Sequence, residues 1–365
     1  MKIIVSLPVL VLVLIAVAAA PLRADTIILD AAGGGDYADL GAAVAAALDG
    51  DTILVAPGTY PTSVTITKSL TIEGQGDAEQ VILDGGGQRI MLLAGEHEVV
   101  LRRLCLQHGH ADAGGGIFSW LGMDLLAEDC IFRDNEADEG GGAIEARSIT
   151  GRLTLRRCAF TDNVAGSHAG GVAVMFGIAC EIDACVFTHN IAQIMAGAFT
   201  ANQAGPVDIR HTVFDHNIGA NHGAVYLVYC GSNSITNCTF YRTLAGDHAA
   251  VLVHDATLLM RGNIIAGTMG GAGVEIYNSG NILSEYNIFW DNDGGDWMNG
   301  AIGPLDQHVD PQFCNPSAGD LAPCDESPAV VGTDYGLIGA LEPGCPCGVV
   351  RTEATTWTAV KGIFR

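Results

Sequence analysis

Six side chains that can bind metals, transfer protons or carry charge recur at intervals of 26 to 28 residues. In chain order they are His108, Asp134, Asp162, His189, His216 and Arg242. On stacked coils they would lie about 5 Å apart, close to the reach of shared metal ligands. Asp162 and His189 are the candidate metal ligands, and an Asp beside a His could also create a general base. The column therefore predicts a ligand-binding or metal-binding site.

The same column has a second interpretation that needs no ligand. Asp, Asn and His often occupy turns because their side chains satisfy the local backbone. A ladder of turns exposed to solvent could alternate charge simply to relieve repulsion. The spacing alone leaves both interpretations open.

A second group of residues alternates acidic and aromatic side chains near the end of the repeats. Carboxylates on a glycine-rich loop can hold Ca²⁺, and indole faces can stack on sugar rings. The group consists of Asp291, Asp293, Asp296 and Asp310 with Trp290 and Trp297. The first three are further candidate metal ligands, but their spacing matches no Ca²⁺ loop. An ordinary loop after the last repeat is the preferred interpretation.

A repeat runs through the middle of the chain and sets these spacings. A phenylalanine marks each unit, and the phrase Cys130-Ile-Phe132-Arg-Asp-Asn135 returns with variations at Phe160, Phe187, Phe214 and Phe240. A glycine-rich apolar segment such as Gly141-Gly142-Ala-Ile144 follows each phrase. A period in the twenties is typical of a solenoid, whose units bury their apolar faces only by stacking.

Alignment on the phenylalanine separates predicted inward positions from outward ones. The fifth position before it is nearly always apolar, and the fourth alternates in charge through Arg102, Glu128, Arg156, Asp183 and Arg210. Opposite charges on stacked strands suit a ladder that faces solvent. Two positions before it, Cys130, Cys158, Cys185 and Cys238 predict small inward packing residues. The asparagines three positions after it predict turns with paired amides and a left-handed backbone.

The ends of the chain differ from the repeats. An apolar run through Ala20 predicts a secretory signal peptide over 1–24, and no later segment could cross a membrane as a helix. A strand and a capping helix over 36–48, with Asp36 as N-cap, are expected within 25–50. Coils are expected over 51–300 and a closing segment over 301–343. The rest, 344–365, is predicted either to be a docking or sorting tail or to pack on the last coil.

Charge and cysteine content narrow the classes of partner. The chain has 17 basic and 41 acidic residues, and this balance disfavours nucleic acid while favouring solubility and divalent cations. Among eleven cysteines, Cys314 with Cys324 and Cys345 with Cys347 or a neighbour are the expected disulfides. The odd total leaves at least one free thiol.

The stretch over 36–87 resembles the start of pectin-lyase-like right-handed parallel β-helices, including pectinesterases. The matching phrases are Gly50-Asp-Thr-Ile53, Pro57-Gly-Thr-Tyr60, Lys68-Ser-Leu-Thr-Ile72 and Val81-Ile-Leu-Asp84. In that family they build the cap and first coils, so the resemblance implies a fold. The Phe-x-x-Asn and Gly-Gly-Ala-Ile phrases are similar to repeats of polymorphic outer-membrane proteins. The catalytic phrases of pectate lyases, polygalacturonases and pectinesterases have no counterpart, so no catalytic residue is carried over.

The sequence therefore predicts an all-β, right-handed parallel β-helix of about nine or ten coils with an N-terminal capping helix. We expect a secreted or cell-surface protein, without catalysis, that presents a long face to a polysaccharide or a surface protein. The alternative is a polysaccharide lyase or glycoside hydrolase that acts on an acidic glycan with an unfamiliar site. Ca²⁺ is the cofactor that the acidic residues could hold.

Overall fold

The computed structural model describes residues 24–331 and 334–348. The predicted signal peptide over 1–24 lies outside the described residues except for its last position. Most of the predicted tail over 344–365 also lies outside them.

Three long parallel sheets, here called A, B and C, run along the molecule, because successive coils contribute a strand to each sheet. Sheet A comprises Thr26–Leu29, Thr52–Val55, Leu70–Gly74, Glu98–Arg102, Asp124–Glu128, Arg152–Arg156, Ala179–Asp183, Val207–Arg210, Ser232–Thr236, Thr257–Arg261 and Asn281–Glu285. Sheet B comprises Gly58–Pro61, Val81–Asp84, Cys105–Gln107, Ile131–Arg133, Ala159–Thr161, Val186–Thr188, Val213–Asp215, Thr239–Tyr241, Ile264–Ala266, Ile288–Trp290 and Gln307–His308.

Sheet C closes each coil. Its strands are Val64–Ile66, Met91–Ala94, Ile117–Trp120, Ile144–Arg147, Val172–Met175, Phe199–Asn202, Val225–Val228, Ala249–His254, Ala272–Tyr277 and Trp297–Met298. A short sheet between B and C comprises His110–Ala113, Glu136–Gly140, Val164–Ala165, Ile191–Ala192 and Ile218–Gly219. Phe313–Asn315 pairs antiparallel with Asp320–Pro323 beyond the coils. The short helices outside the cap are Ala78–Gln80, Pro316–Ala318 and Pro328–Val331.

The N-terminal helix spans Leu40–Ala46 and is shorter than the predicted 36–48. Its N-cap is Asp39, whose carboxylate accepts a hydrogen bond from the Ala42 amide at 2.8 Å. The prediction of Asp36 as N-cap is wrong, because the Asp36 carboxylate accepts a hydrogen bond from the Ile28 amide of the first strand. The helix buries Leu40, Ala43 and Val44.

The interior repeats the same packing in coil after coil. Phe132, Phe160, Phe187, Phe214 and Phe240 stack with ring centroids 4.5–5.1 Å apart and are at most 1% exposed. In sheet A the charged column faces outward, and Arg102 contacts Glu128 at 3.1 Å while Arg210 contacts Asp183 at 3.2 Å. The periodic pattern of the sequence therefore separates core from surface as predicted.

The repeated asparagines form a buried amide ladder. The Asn135 amide donates to Asn163, which donates to Asn190, which donates to Asn217, at 2.9–3.0 Å. The left-handed backbone lies one residue earlier, at the position of His189 and His216, so this part of the prediction is displaced by one residue. The cysteines of the inward column are buried and free.

The chain after His308 forms a C-terminal strap, defined as residues 309–331 and 334–348, along the outer face of sheet B. Strap residues Ile338 and Ala329 pack on Ile264 and Ile288, and Leu321 and Leu341 pack in a cluster with Val213. The Ala340 amide donates to the Thr239 hydroxyl at 3.0 Å. The strap therefore lies along the side of several coils.

Two disulfides close the strap, and their pairing differs from the expectation. Cys314 pairs with Cys345, and Cys324 pairs with Cys347. The expected Cys314–Cys324 and Cys345–Cys347 disulfides are wrong. The strap folds back on itself, and the backbones of Cys324 and Cys345 lie side by side as an isolated parallel β-bridge. The cysteines closest in sequence therefore belong to different disulfides.

Candidate functional site

A groove lies between the strap and the turns that follow the later strands of sheet B, from Val186–Thr188 to Ile288–Trp290. It consists of two clefts of about 500 and 490 Å³ that meet at Pro316. Its floor is formed by the C-terminal ends of sheet B strands and by the turn residues after them, and its other wall is the strap. Both predicted groups of candidate residues contribute to it.

The turn column occupies one conformation throughout. His108, Asp134, Asp162, His189, His216, Arg242 and Asp291 all have φ between 46° and 55°. Asp and Asn tolerate this left-handed region better than most residues, so the backbone alone accounts for part of the column's composition. Asp291 belongs to the same column, so this one residue connects the two groups that the sequence presented separately.

The first cleft contains two histidines and a buried carboxylate. The His189 and His216 rings stack with centroids 5.2 Å apart, and His216 Nδ1 lies 2.6 Å from an Asp215 oxygen. Asp215 is 8% exposed, and burial raises its carboxyl pKa although His216 opposes the shift. This pair can hold a proton at the cleft and hydrogen-bond a polar ligand. Asp215 itself lay outside the predicted column.

The second cleft combines aromatic rings with charges. Tyr241, Arg242, Trp290, Asp291 and Asp293 line it. The Arg242 guanidinium lies 5.4 Å from the Tyr241 ring centroid, and burial raises the pKa of the Tyr241 hydroxyl. Trp290 keeps 37% of its surface exposed. Such rings can pack on the C–H faces of a sugar while the charged groups bind hydroxyls.

Asp310 also lines the second cleft, and the other predicted residues lie outside the lining of both clefts. His108 Nδ1 contacts Asp84 at 2.9 Å, on the preceding coil. Asp162 lies beside His189 and Asp134, and burial raises its pKa. The Asp296 carboxylate contacts His308 at 2.6 Å and also accepts a hydrogen bond from Asn292. Of the predicted column, only His189, His216 and Arg242 therefore line the clefts.

The candidate metal ligands do not converge on one point. Within 24–331 and 334–348, no group of three or more His, Cys, Asp or Glu side chains could hold a metal ion. Asp293 instead accepts a hydrogen bond from the Gly270 amide at 2.9 Å. The binding of Ca²⁺ by Asp162, His189, Asp291, Asp293 or Asp296 stays a prediction.

A cluster that the sequence did not predict lies on sheet C. The His222 ring is 4.2 Å from Tyr226 and 4.8 Å from His248, which hydrogen-bonds buried Glu275 at 2.8 Å. Burial lowers the pKa of His222 to about 4, so this imidazole is neutral. The signal was the shared register of His222 and His248, which each stand eight residues after a repeat phenylalanine, Phe214 and Phe240.

Comparison with known proteins identifies the class of fold. A family model described as "Right handed beta helix region" matches residues 150–303. Together with the parallel sheets, the match confirms the predicted right-handed parallel β-helix of about ten coils and the resemblance to pectin-lyase-like proteins in fold. No curated protein matches the chain.

The solved structures that resemble the chain are distant. A pectin methylesterase from carrot is 12% identical with a TM-score of 0.30, over 69% of this chain and 88% of that one. A mannuronic acid specific polysaccharide family 6 lyase from human gut microbiota is 13% identical with a TM-score of 0.36, over 71% and 74%. Pectin methylesterase PemA from Erwinia chrysanthemi is 10% identical with a TM-score of 0.33, over 90% and 100%. In the described residues, no helix is long and apolar enough to span a membrane.

Proposed function

We propose that the protein binds a polysaccharide chain in the groove between sheet B and the strap. The observation that carries this proposal is the partly exposed Trp290 ring beside Tyr241 and Arg242 in an open cleft. Carbohydrate sites combine such ring faces with side chains that hydrogen-bond hydroxyls. The groove also extends past His216 and His189, so several consecutive sugars could contact it.

The charge of the groove favours a neutral glycan over a polyuronate. Four carboxylates and one guanidinium line the clefts: Asp215, Asp291, Asp293, Asp310 and Arg242. The whole chain carries a net charge of −24. An anionic polymer would meet like charges unless cations intervened. The apolar run before Ala24 supports a location outside the cell, as a secreted or surface-bound protein.

Binding in the groove is tested with soluble oligosaccharides from neutral and uronate glycans by isothermal titration calorimetry. Trp290→Ala should weaken binding roughly tenfold, because a stacked ring contributes about 1.4 kcal/mol. Leu48→Ala, an exposed apolar residue on the N-terminal cap, is the control. Unchanged affinity in Trp290→Ala would contradict the proposal.

A second candidate function, glycan cleavage, is favoured by the Asp215–His216 pair. A buried carboxylate that holds an imidazole at a cleft can act as a general acid–base unit. Reducing-end and unsaturated-product assays, with and without Ca²⁺, test it on the same glycans. Product formation that disappears in His216→Ala would establish catalysis, whereas no product from any glycan would eliminate it.

A further inference from the structure

A row of exposed apolar side chains follows the end of sheet C. We call it the aromatic edge and define it as Trp120, Leu121, Phe176, Tyr229 and Tyr277. Their exposed fractions are 45%, 56%, 44%, 54% and 46%. None of them lines the two clefts of the groove. The edge is therefore a separate surface.

The aromatic edge has a period of two coils. Pairing in sheet C gives the series Trp120, Arg147, Met175, Asn202, Val228, His254 and Tyr277, one residue per coil. Trp120 and Tyr277 occupy this paired position on the first and seventh coils, whereas Phe176 and Tyr229 occupy the turn position that follows it on the third and fifth coils. At the turn position, the coils between them carry Ser148, Gln203 and Asp255, although Ile149 is exposed further along one loop. Strands about 4.8 Å apart place the equivalent Phe176 and Tyr229 rings roughly 10 Å apart.

The backbone at this edge makes the apolar residues costly. Leu121, Phe176 and Tyr229 have φ of 66°, 65° and 53°, a region that disfavours bulky residues. Gly, Asn or Asp would adopt it more readily, and Asn278 and Asp255 do so on neighbouring coils. Since these side chains remain about half exposed, burial in the core does not offset the cost. The fold alone gives no reason for them.

An extended β-linked polysaccharide fits this spacing. In a two-fold extended chain every second sugar presents the same face, so equivalent faces recur at the length of one disaccharide, close to the separation of the rings. Aromatic faces pack well on the C–H faces of sugars. At one end, the His254 ring, whose side chain is 19% exposed, lies 5.2 Å from Tyr229 and 4.8 Å from Tyr277 and packs between the two exposed rings. The strongly negative net charge favours a neutral glycan.

We propose that the aromatic edge binds a neutral, extended β-linked polysaccharide parallel to the axis of the coils, with one disaccharide for every two coils. This surface is distinct from the groove, so the inference goes beyond the proposed function and stands or fails separately. A second protein is the competing occupant, and the experiment includes it as an outcome.

The test measures binding of the full chain to cellulose and chitin and to soluble β-linked oligosaccharides of increasing length. Phe176→Ala and Tyr229→Ala should each weaken binding roughly tenfold, because each removes one stacked ring. Gln203→Ala, at the same turn position on the coil between them, should leave affinity unchanged. Circular dichroism and thermal melting establish that every variant is folded.

The two-coil spacing is tested by moving a ring. The double variant Phe176→Ala/Gln203→Tyr keeps the number of rings but changes their spacing, and it should bind as weakly as Phe176→Ala. Full recovery of affinity would overturn the role of the spacing. Absence of binding to every β-linked glycan, loss only in Trp290→Ala, or capture of a protein partner with no glycan bound would overturn the proposal.

Discussion

At the scale of single residues, Glu145 shows how the outer face of sheet C can bury a charge. Its side chain is 0% exposed, and the Arg147 guanidinium donates to one of its oxygens. The other oxygen has no hydrogen-bond partner in the described part of the chain. Burial raises the carboxyl pKa to about 7 against the opposing effect of Arg147. The buried environment of Glu145 therefore disfavours the ionised form of its carboxyl group.

Glu145→Gln should make stability less dependent on pH. The folded-state pKa is raised, so the folded protein binds the extra proton and stability falls as pH rises from about 4.5 to 7. Between pH 5 and pH 8, the free energy of unfolding of the variant relative to that of wild type should rise by about 2–3 kcal/mol. Urea unfolding at each pH measures this gain.

Glu136→Gln, an exposed carboxylate on a neighbouring strand, is the control for the Glu145 variant. Its unfolding midpoint should change with pH as that of wild type does. If Glu145→Gln also follows the wild-type profile, burial of Glu145 does not govern the pH dependence.

At the scale of elements, the strap forms one wall of the groove, and two disulfides cross-link the strap to itself. The double variant Cys314→Ser/Cys345→Ser opens a bridge between residues 31 apart in sequence. We expect a loss of about 3 kcal/mol in the free energy of unfolding. Glycan affinity at the groove should fall while the β-type circular dichroism spectrum persists, because the coils do not need the strap for their pairing.

Reduction of the wild-type protein with dithiothreitol is the companion experiment. It should reproduce the loss of affinity, since the other cysteines are buried and already free. Full affinity after reduction would show that packing of Leu321 and Leu341 alone holds the strap on sheet B.

The elements that the sequence predicted are those with a repeated environment. Phe160, Asn163 and Arg156 each meet an equivalent neighbour on the next coil, so a column of similar residues reveals the direction of each side chain. The left-handed turn was displaced by one residue because Asn and the residue before it share one tight turn. A periodic pattern identifies which residues stack on one another. It specifies the backbone angles of each residue less closely.

The strap and the groove could not be predicted in the same way. The strap does not repeat, and its path depends on contacts such as the hydrogen bond between Tyr335 and Asn237, which are 98 residues apart. Because that path is not apparent from the sequence, the sequence predicted neither the disulfide pairing nor the cleft that His216 and Leu321 line together. The cluster at His222 was missed because the shared register of His222 and His248 does not reveal their contacts with Tyr226 and Glu275.

At the scale of the whole molecule, two surfaces could bind glycans at once. The groove follows sheet B, and the aromatic edge follows the end of sheet C, so Trp290 and Tyr229 report on different surfaces. In the double variant Trp290→Ala/Tyr229→Ala, the losses of binding free energy of the two single variants should add, as expected for sites without shared contacts. Calorimetric titration with a short oligosaccharide measures it, and strong non-additivity would indicate one joint site.

The strap also determines which end of the solenoid should unfold first. It covers sheet B from Val186 to Ile288, whereas earlier strands such as Val81–Asp84 lie beyond it. In a solenoid each coil is stabilised by its neighbours, so local opening begins where the fewest contacts cross from coil to coil. Backbone amides of Val81–Asp84 should therefore exchange hydrogen faster than those of Ile264–Ala266, and uniform exchange would contradict this. The polypeptide would open from its N-terminal coils, and the coils that form the groove would be the last to separate.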